Sequence, residues 1–441
     1  MPIVAKGDPT VGARSEPVGP TLSPTSISGL RVAMVIQRFR PEFSGQGIQV
    51  EHLCRALARR GAEPMILSSI RGRPSEWEAC DGFRVRRVRC DLLPGSTSRG
   101  SVWMPTFGLR VLLALLLEPK VDVVHVHGLN DGIYGAYAFC RLRGVPLVFE
   151  MTLMGVDDPS SALATRQMFA GARRRVFRGC DAYVAMSRAF LPAYARAGMP
   201  LDRLHVIPQG VDTGRFRPFD EDARAAVRAE LGIPVSAPLI VFVGSLIERK
   251  GIDVLLDAWE RLHAQRPDAR LLLVGPDTFE PESQDRRFLD GRFAALPPAA
   301  RAAVQRTGVR DDPERLLASA DVFVFPSRRE GFGSVIIEAM ACGVPSVVAR
   351  LDGITDFLFA APIQAGATAS GQPGDGIVVP QEDASGLADV VLRLLDEPRW
   401  ARAIAQAGLG TVRERFDFDT AIAPAYGDLY ARLTTQGPGR G

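Results

Sequence analysis

Short apolar runs alternate with stretches of helical spacing along most of the chain, and the whole series occurs twice. In "LRVAMVIQRF" (30–39) the apolar residues are nearly consecutive, which predicts a strand buried on both faces. A turn-rich "RPEFSGQG" follows. In "IQVEHLCRALARRG", Val50, Leu53, Cys54 and Leu57 share one helical face and Gly61 supplies the stop. The runs "PMILSS", "VDVVHVHG" (121–128), "VPLVFEM" (145–151) and "DAYVAMS" (181–187) continue the strand series. After "VIPQGVDTGRFRP" (206–218) the rhythm restarts with "PLIVFVG" (238–244), a helix from about Ile252 to His263, "ARLLLVG" (269–275), "ADVFVFPS" (320–327) and "VPSVVAR" (344–350). Runs that are apolar on both faces belong to parallel sheets covered by helices. The pattern therefore predicts an α/β chain of two Rossmann-like doubly wound domains facing across a cleft.

Length supports two units, because 441 residues exceed the roughly 250 to 300 at which a single core stops growing. The expected division is a disordered tail over 1–28, a first domain over 29–215 and a second over 216–415. A helix over 416–433 returns to the first domain, and a flexible tail covers 434–441. The tail over 1–28 is rich in Pro, Gly, Ser and Thr and lacks the apolar core of a signal peptide. The segments 277–298 and 360–376 read as surface insertions, and "LRVLLALLLE" from Leu109 reads as a buried helix, too short to span a bilayer.

Composition changes little in this picture. Hydrophobic residues make up 46% and charged residues 23%, which excludes disordered and fibrous classes. The cysteines at 54, 80, 90, 140, 180 and 342 show no metal-ligand spacing, so reduced thiols and a cytoplasmic location are expected. The net charge of +3 hides an asymmetry: residues 1–215 carry 28 Lys+Arg against 18 Asp+Glu, and the remainder 25 against 32. The basic density peaks in "RVRRVRC" (84–90) and "ARRRVFRGC" (172–180). Two readings stand: a face for anionic lipid or an anionic substrate, or a solvated arginine-rich surface.

Candidate chemistry concentrates in "PSRREGFGSVIIEAMACGVPS" (326–346), where Glu330 falls in a loop and Glu338 one turn into a helix that begins near Ser334 and stops before Gly343. Glycines at 331 and 333 let backbone amides approach a ligand, and the free amides of a helix start favour an anion such as phosphate. A carboxylate just below such a site accepts from vicinal hydroxyls, as ribose offers. One carboxylate alone would merely complement the helix dipole. In "VGSLIERKG" (243–251), Arg249 and Lys250 sit between a strand and a helix, placed to reach a diphosphate or to stand as a solvated basic pair. The chain has only three lysines, Lys6, Lys120 and Lys250, so a lysine beside an arginine is a distinctive choice.

The segments "GSLIERKG", "GVRDDPERLLASADVFVFPSRREGFGSVIIEAMACGVPSVVA", "VIPQGVDTGRF" and "GQGIQVEHLCRALARRG" resemble glycosyltransferase family 4, retaining nucleotide-sugar enzymes of the GT-B fold, over about residues 30–433. The resemblance implies that Glu338 binds the ribose hydroxyls. It implies that Glu330 and the backbone of Gly331, Phe332, Gly333 and Ser334 hold the donor sugar and phosphates, and that Arg249 and Lys250 neutralise the leaving diphosphate. Backbone near Val309 and Arg310 would meet the base. Gly47 would approach the diphosphate from the first domain, and His127 would sit near the transferred sugar. His125 is expected on the opposite face of its strand, in a structural role.

The sequence departs from the common family pattern at Gln46 before Gly47, at Gln209, at Ser245, and at "FEMTLMG", where a Thr-x-His is frequent. The implied activity is hexosyl transfer with retention from a nucleoside-diphosphate sugar to an unidentified acceptor hydroxyl on a glycan, lipid or small molecule. The implied chemistry uses neither metal nor cofactor, since side-chain cations and the helix dipole face the phosphates. The alternatives are a catalytically silent GT-B partner subunit and a nucleotide-sugar epimerase. The expected partners are the donor, the acceptor and a peripheral anionic membrane surface; no nucleic-acid partner is expected.

Overall fold

The computed structural model describes residues 26–42, 44–70, 77–89, 103–153, 170–277, 284–365 and 374–436. Residues 1–25 and 437–441 of the two expected tails lie outside the described residues. Ile27, assigned to the first tail, is buried against the last helix, and residues 434–436, assigned to the second, are helical.

Eight strands form the first sheet: β1 (Arg31–Ile36), β2 (Glu63–Ile70), β3 (Trp77–Cys80), β4 (Phe83–Arg89), β5 (Val123–His127), β6 (Leu147–Met151), β7 (Ala182–Ala185) and β8 (Leu204–Val206). Their order is β3-β4-β2-β1-β5-β6-β7-β8, parallel except for the β3/β4 pair. The second sheet has seven parallel strands: β9 (Leu239–Val243), β10 (Arg270–Val274), β11 (Val304–Gly308), β12 (Val322–Phe325), β13 (Ser346–Ala349), β14 (Pro362–Gln364) and β15 (Gly376–Val379). They run in the order β11-β10-β9-β12-β13-β15-β14. In each sheet the chain winds outward from its first strand in both directions. The strand order therefore reverses between β1 and β5, and again between β9 and β12. Ligands of open α/β sheets bind outside the carboxyl ends of the strands at such points.

The helices that matter below are α1 (Gly45–Arg59), α2 (Trp103–Leu116), α3 (Gly132–Arg143), α4 (Ala170–Arg178), α5 (Ile252–Gln265), α6 (Gln284–Ala295), α7 (Ser334–Ala341), α8 (Ala384–Asp396), α9 (Pro398–Arg415) and α10 (Ala423–Gln436). Strands β5, β6, β12 and β13 are buried at every position, which explains why their sequences do not alternate. The chain crosses back to the first domain after α9 through a π-helical turn, Phe418–Ile422. Asp417 fixes this crossing: its carboxylate accepts from the amides of Asp419 and Thr420 and from the hydroxyls of Thr213 and Thr420. Helix α10 then docks on α1 and β5, with Arg59 paired to Asp419 at 2.8 Å and the Tyr430 hydroxyl 2.7 Å from His125 Nδ1.

Three sequence expectations need correction. The "LRVLLALLLE" helix is buried on one face only, since Leu109, Leu113 and Leu117 are 57%, 50% and 72% exposed. The segment 277–298 is not a plain surface insertion: α6 lies within it and places Leu289 in the core, and Leu296 is buried beside it. The segment 360–376 contributes β14, the edge strand of the second sheet. In the last two cases a polar or Pro/Gly-rich neighbourhood masks a few apolar residues that the adjoining layer buries.

Candidate active site

The loop after β9 carries Arg249 and Lys250, and the loop after β12 carries Glu330, so both flank the point where the second sheet reverses its order. Gly251 is what lets these loops meet. It has φ of 69°, and a Cβ there would lie 1.9 Å from the Pro326 carbonyl oxygen, so only glycine fits. Lys250 Nζ donates to Glu330 Oε1 at 2.6 Å, and Ser327 Oγ donates to the same oxygen at 2.6 Å. The Arg249 guanidinium stands 3.5 Å from that oxygen. Lys250 also lies over the ring of Phe325 at 5.1 Å. Burial draws the Lys250 ammonium below its ordinary range, and the Glu330 carboxylate opposes that shift. Two cations and one carboxylate therefore form a single cluster with an excess positive charge at the mouth of the sheet.

Helix α7 begins beside this cluster. Gly333 is its N-cap and no side chain caps its amides, so its positive end is open to an anion. Glu338, one turn further on, is half-buried, and its carboxylate has no hydrogen-bond partner among the described residues. Burial pushes its carboxyl up to about 7, with Arg215 acting in the opposite sense and Glu314 adding to the rise. A carboxyl held in that state gains from any hydroxyl that reaches it. Phe332 is buried with its ring 6.0 Å from that of Phe416, so its side chain serves the core and only its backbone remains for a ligand.

The first domain closes onto this loop. Ser187 Oγ donates to the Gly331 carbonyl at 2.9 Å, and Ser334 Oγ lies 2.7 Å from Gln209 Oε1. A Cβ at Gly331 would lie 2.1 Å from the Thr152 carbonyl oxygen, so the contact between the domains requires glycine. On the edge of the second sheet Val309 is exposed, whereas the Arg310 guanidinium is engaged by Asp312 at 2.8 Å. From the first domain, the Gly47 amide is taken by the Ser44 hydroxyl at 3.1 Å, while its neighbour Gln46 has a buried Nε2 with no partner.

His127 is not free in the cleft. Its Nδ1 bonds the Glu150 carboxylate and its Nε2 lies 3.3 Å from Met34 Sδ, with the side chain almost wholly buried. The expectation for His125 is corrected in its geometry. Residues two apart in a strand share a face, and the two imidazoles lie 3.9 Å centroid to centroid. His125 is held by Tyr430, and its burial beside His127 keeps it neutral.

The structure thus brings Arg249, Lys250 and Glu330 together beside the start of α7, which carries Glu338 one turn on, with Val309 and Arg310 after β11 at the edge of the sheet. Reasoning from sequence missed Ser327 and Glu150, and marked Gln209 only as a departure from the family pattern. Ser327 stands three residues before Glu330 and had a signal, since a hydroxyl there reaches back to the loop carboxylate. Glu150 had another, as a carboxylate in an otherwise apolar strand.

Known proteins resemble this chain in sequence and in fold. Residues 43–215 match the profile described as Glycosyltransferase Family 4, and residues 237–397 that described as Glycosyl transferases group 1. The chain is 33% identical to a D-inositol 3-phosphate glycosyltransferase of Xylanimonas cellulosilytica, covering 93% of this chain and 99% of that one. It is 31% identical to a GDP-mannose-dependent monoacylated alpha-(1-6)-phosphatidylinositol monomannoside mannosyltransferase of Corynebacterium glutamicum, over 57% of this chain and 63% of that protein. Among solved structures, HepE of Anabaena in complex with UDP and glucose superposes with a TM-score of 0.70 at 18% identity, over 92% of this chain and 100% of that one. Sucrose-phosphate synthase of Thermosynechococcus elongatus superposes with a TM-score of 0.70 at 24% identity, over the same shares.

Proposed function

Because the chain belongs to glycosyltransferase family 4 and is a glycosyltransferase of the GT-B fold, we propose that it transfers a hexosyl group with retention from a nucleoside-diphosphate sugar, and that it needs no divalent cation. The observation that carries this reading is the cluster of Lys250, Arg249 and Glu330 beside the uncapped start of α7, with the unpartnered Glu338 one turn below.

In this reading the diphosphate lies against the α7 amides and takes its positive charge from Arg249 and Lys250. Preorganised cations of this kind stabilise the charge that develops as the leaving group departs. Glu338 accepts from the two ribose hydroxyls. Glu330 and the Gly331–Ser334 backbone hold the sugar ring, and Val309 and Arg310 line the base. Gln46, Gly47 and His127 approach from the first domain, with Glu150 fixing the imidazole. The departing phosphate takes the proton of the acceptor hydroxyl on the face from which it leaves, so the anomeric configuration is kept.

A second element concerns the outer surface of the first domain. Leu109, Leu113 and Leu117 of α2 and the segment after it are exposed, as are Leu142 on α3 and Arg174, Arg175 and Arg178 on α4, which packs on α3 as α2 does. Exposed leucines beside a basic helix suit peripheral contact with anionic lipid. The arginines of β4 suit it less, since Arg84 pairs with Glu118 and Arg87 with Glu78. No helix among the described residues is long and apolar enough to cross a membrane.

The test is a panel of nucleotide sugars with chelator present, followed by NMR of the anomeric proton of the product. Turnover with retained configuration supports the proposal. Inversion, or activity restored only by a divalent cation, overturns it. Donor binding without any release of diphosphate would instead identify a silent partner subunit.

A further inference from the structure

Arg328 lies in the loop after β12, two residues before Glu330, and its guanidinium uses every one of its N–H donors. One edge takes the carboxylate of Asp253, in the first turn of α5, at 2.8 and 2.7 Å. The other takes the carboxylate of Glu382, between β15 and α8, at 2.6 and 2.7 Å. The remaining donor reaches the Glu248 carbonyl, just ahead of Arg249. The backbone of Arg328 is held as well. Its amide donates to the Arg249 carbonyl at 3.0 Å, and its carbonyl accepts from Gln381 Nε2 at 3.1 Å. One residue therefore ties together the loops after β9, β12 and β15, all at the carboxyl ends of the second sheet.

Backbone strain separates this tie from an ordinary ion pair. Among the described residues Glu382 is the one non-glycine residue in the left-handed region, with φ of 61°. Glycine would adopt that conformation freely, whereas a glutamate there is strained and persists only where its surroundings hold it. The fork to Arg328 is what holds it. Yet the Glu382 side chain is 56% exposed, and ion pairs so exposed add little to stability. Stability alone does not account for a strained carboxylate at this position.

Electrostatic attraction does not account for it either. Asp253 and Glu382 leave the Arg328 cluster with one negative charge in excess, next to the Arg249–Lys250–Glu330 cluster, so they oppose an anion at the start of α7. What the two carboxylates supply is geometry. A planar guanidinium forked on both edges fixes distance and angle on each side, which a single-point ion pair does not.

We infer that Arg328, braced by Asp253 and Glu382, is a positioning residue for the diphosphate: it sets where Arg249 and Lys250 stand relative to the amides of α7. It touches no substrate itself and acts through the Arg249 carbonyl and the loop that carries Glu330. The inference rests on the transferase reading above, to which it adds the residues that fix the spacing of the site.

Calorimetric titration of the full chain with UDP, GDP and ADP and with the matching monophosphates tests it, because the second phosphate is the group that Arg249 and Lys250 are placed to meet. The native chain is expected to prefer a diphosphate to its monophosphate. In both Glu382→Gly and Arg328→Lys that preference should fall roughly fivefold or more, while monophosphate affinity stays within about twofold. The melting temperature of Glu382→Gly should stay within about 2 °C of the native value, since relief of the backbone strain offsets the lost exposed pair. The sign is decisive: removing a carboxylate near an anion would by charge alone strengthen diphosphate binding, and Arg328→Lys keeps the charge while losing the forks. Should one variant fail to fold, the other decides. A preference that is unchanged or increased, a monophosphate affinity that falls as far as the diphosphate affinity, or a native chain that binds both alike would each overturn the inference. A native chain that binds none of these nucleotides would overturn the transferase reading, and this inference with it.

Discussion

Lys250 and Glu330, eighty residues apart, share a hydrogen bond of 2.6 Å in a pocket that Gly251 alone lets close. Arg249 stands 3.5 Å from the same carboxylate oxygen and leaves the cluster with one positive charge in excess. In the proposed reading a diphosphate arriving at α7 competes with Glu330 for the two cations. Glu330→Gln is expected to bind nucleoside diphosphate no more weakly than the native chain, while turnover falls at least tenfold, about 1.4 kcal/mol of transition-state stabilisation. Its melting temperature without ligand should drop, since the neutral amide leaves a buried lysine without its counter-ion, and breaking such a pair costs roughly 3 to 5 kcal/mol. Calorimetric titration beside thermal denaturation reads both effects. Weaker nucleotide binding in this variant would remove the competition.

Lys250→Arg keeps the charge and changes its shape. The planar guanidinium is longer than the ammonium and must enter a space already bounded by Phe325 and Glu330. Turnover should fall at least tenfold, with a modest drop in melting temperature from overpacking. Steady-state kinetics gives the answer, and an unchanged rate would place Lys250 outside the site.

Glu338 gives a pH dependence with a defined sign. Its carboxyl is raised from about 4.5 to about 7 by burial, so the native state binds this proton more tightly than the unfolded state does. The stability it contributes is fully present below about pH 4.5 and is lost as pH rises through about 7. In the proposed reading ribose hydroxyls donate to the ionised form, so nucleotide affinity should rise with pH through about 7 and then level, with proton release on binding. Calorimetry in buffers of different ionisation enthalpy measures that release. Glu338→Gln should weaken binding and abolish the pH dependence; a dependence that persists in this variant would assign it to another group.

Gly331→Ala tests the contact between the domains. The added methyl would meet the Thr152 carbonyl oxygen at 2.1 Å and hold the cleft open. Turnover should fall at least tenfold while nucleotide affinity changes less than threefold, and small-angle scattering should show a larger radius of gyration. A variant as compact and as active as the native chain would show that this contact is not the productive one.

The lipid surface has its own test in vesicle sedimentation. Binding to anionic vesicles should exceed binding to neutral ones, fall steeply with salt, and be lost in Leu109→Asp with Leu113→Asp, two exposed positions whose change leaves the core intact. Equal binding to both vesicle types would leave the arginines as ordinary surface.

Much of this architecture was legible in the sequence because parallel strands buried on both faces are written as continuous apolar runs, as in β5, β9 and β12. The loops of the candidate site were legible because Lys250, Glu330 and Glu338 each stand at a strand end or helix start. What stayed hidden depends on contacts between distant segments. The pairing of Lys250 with Glu330 spans eighty residues, and the Glu150–His127 bond joins two strands. Leu109, Leu113 and Leu117 are exposed because no layer among the described residues covers that side of α2, which a run of leucines does not reveal.

The central claim is that the Lys250–Arg249–Glu330 cluster beside Glu338 handles a nucleoside-diphosphate sugar as a substrate. Diphosphate release from a panel of nucleotide sugars, measured with chelator present for the native chain and for Lys250→Arg, tests it most directly. The account predicts that at least one donor is turned over by the native chain, with or without chelator, and at least tenfold more slowly by the variant. No release from any donor, or equal release by both proteins, would contradict it.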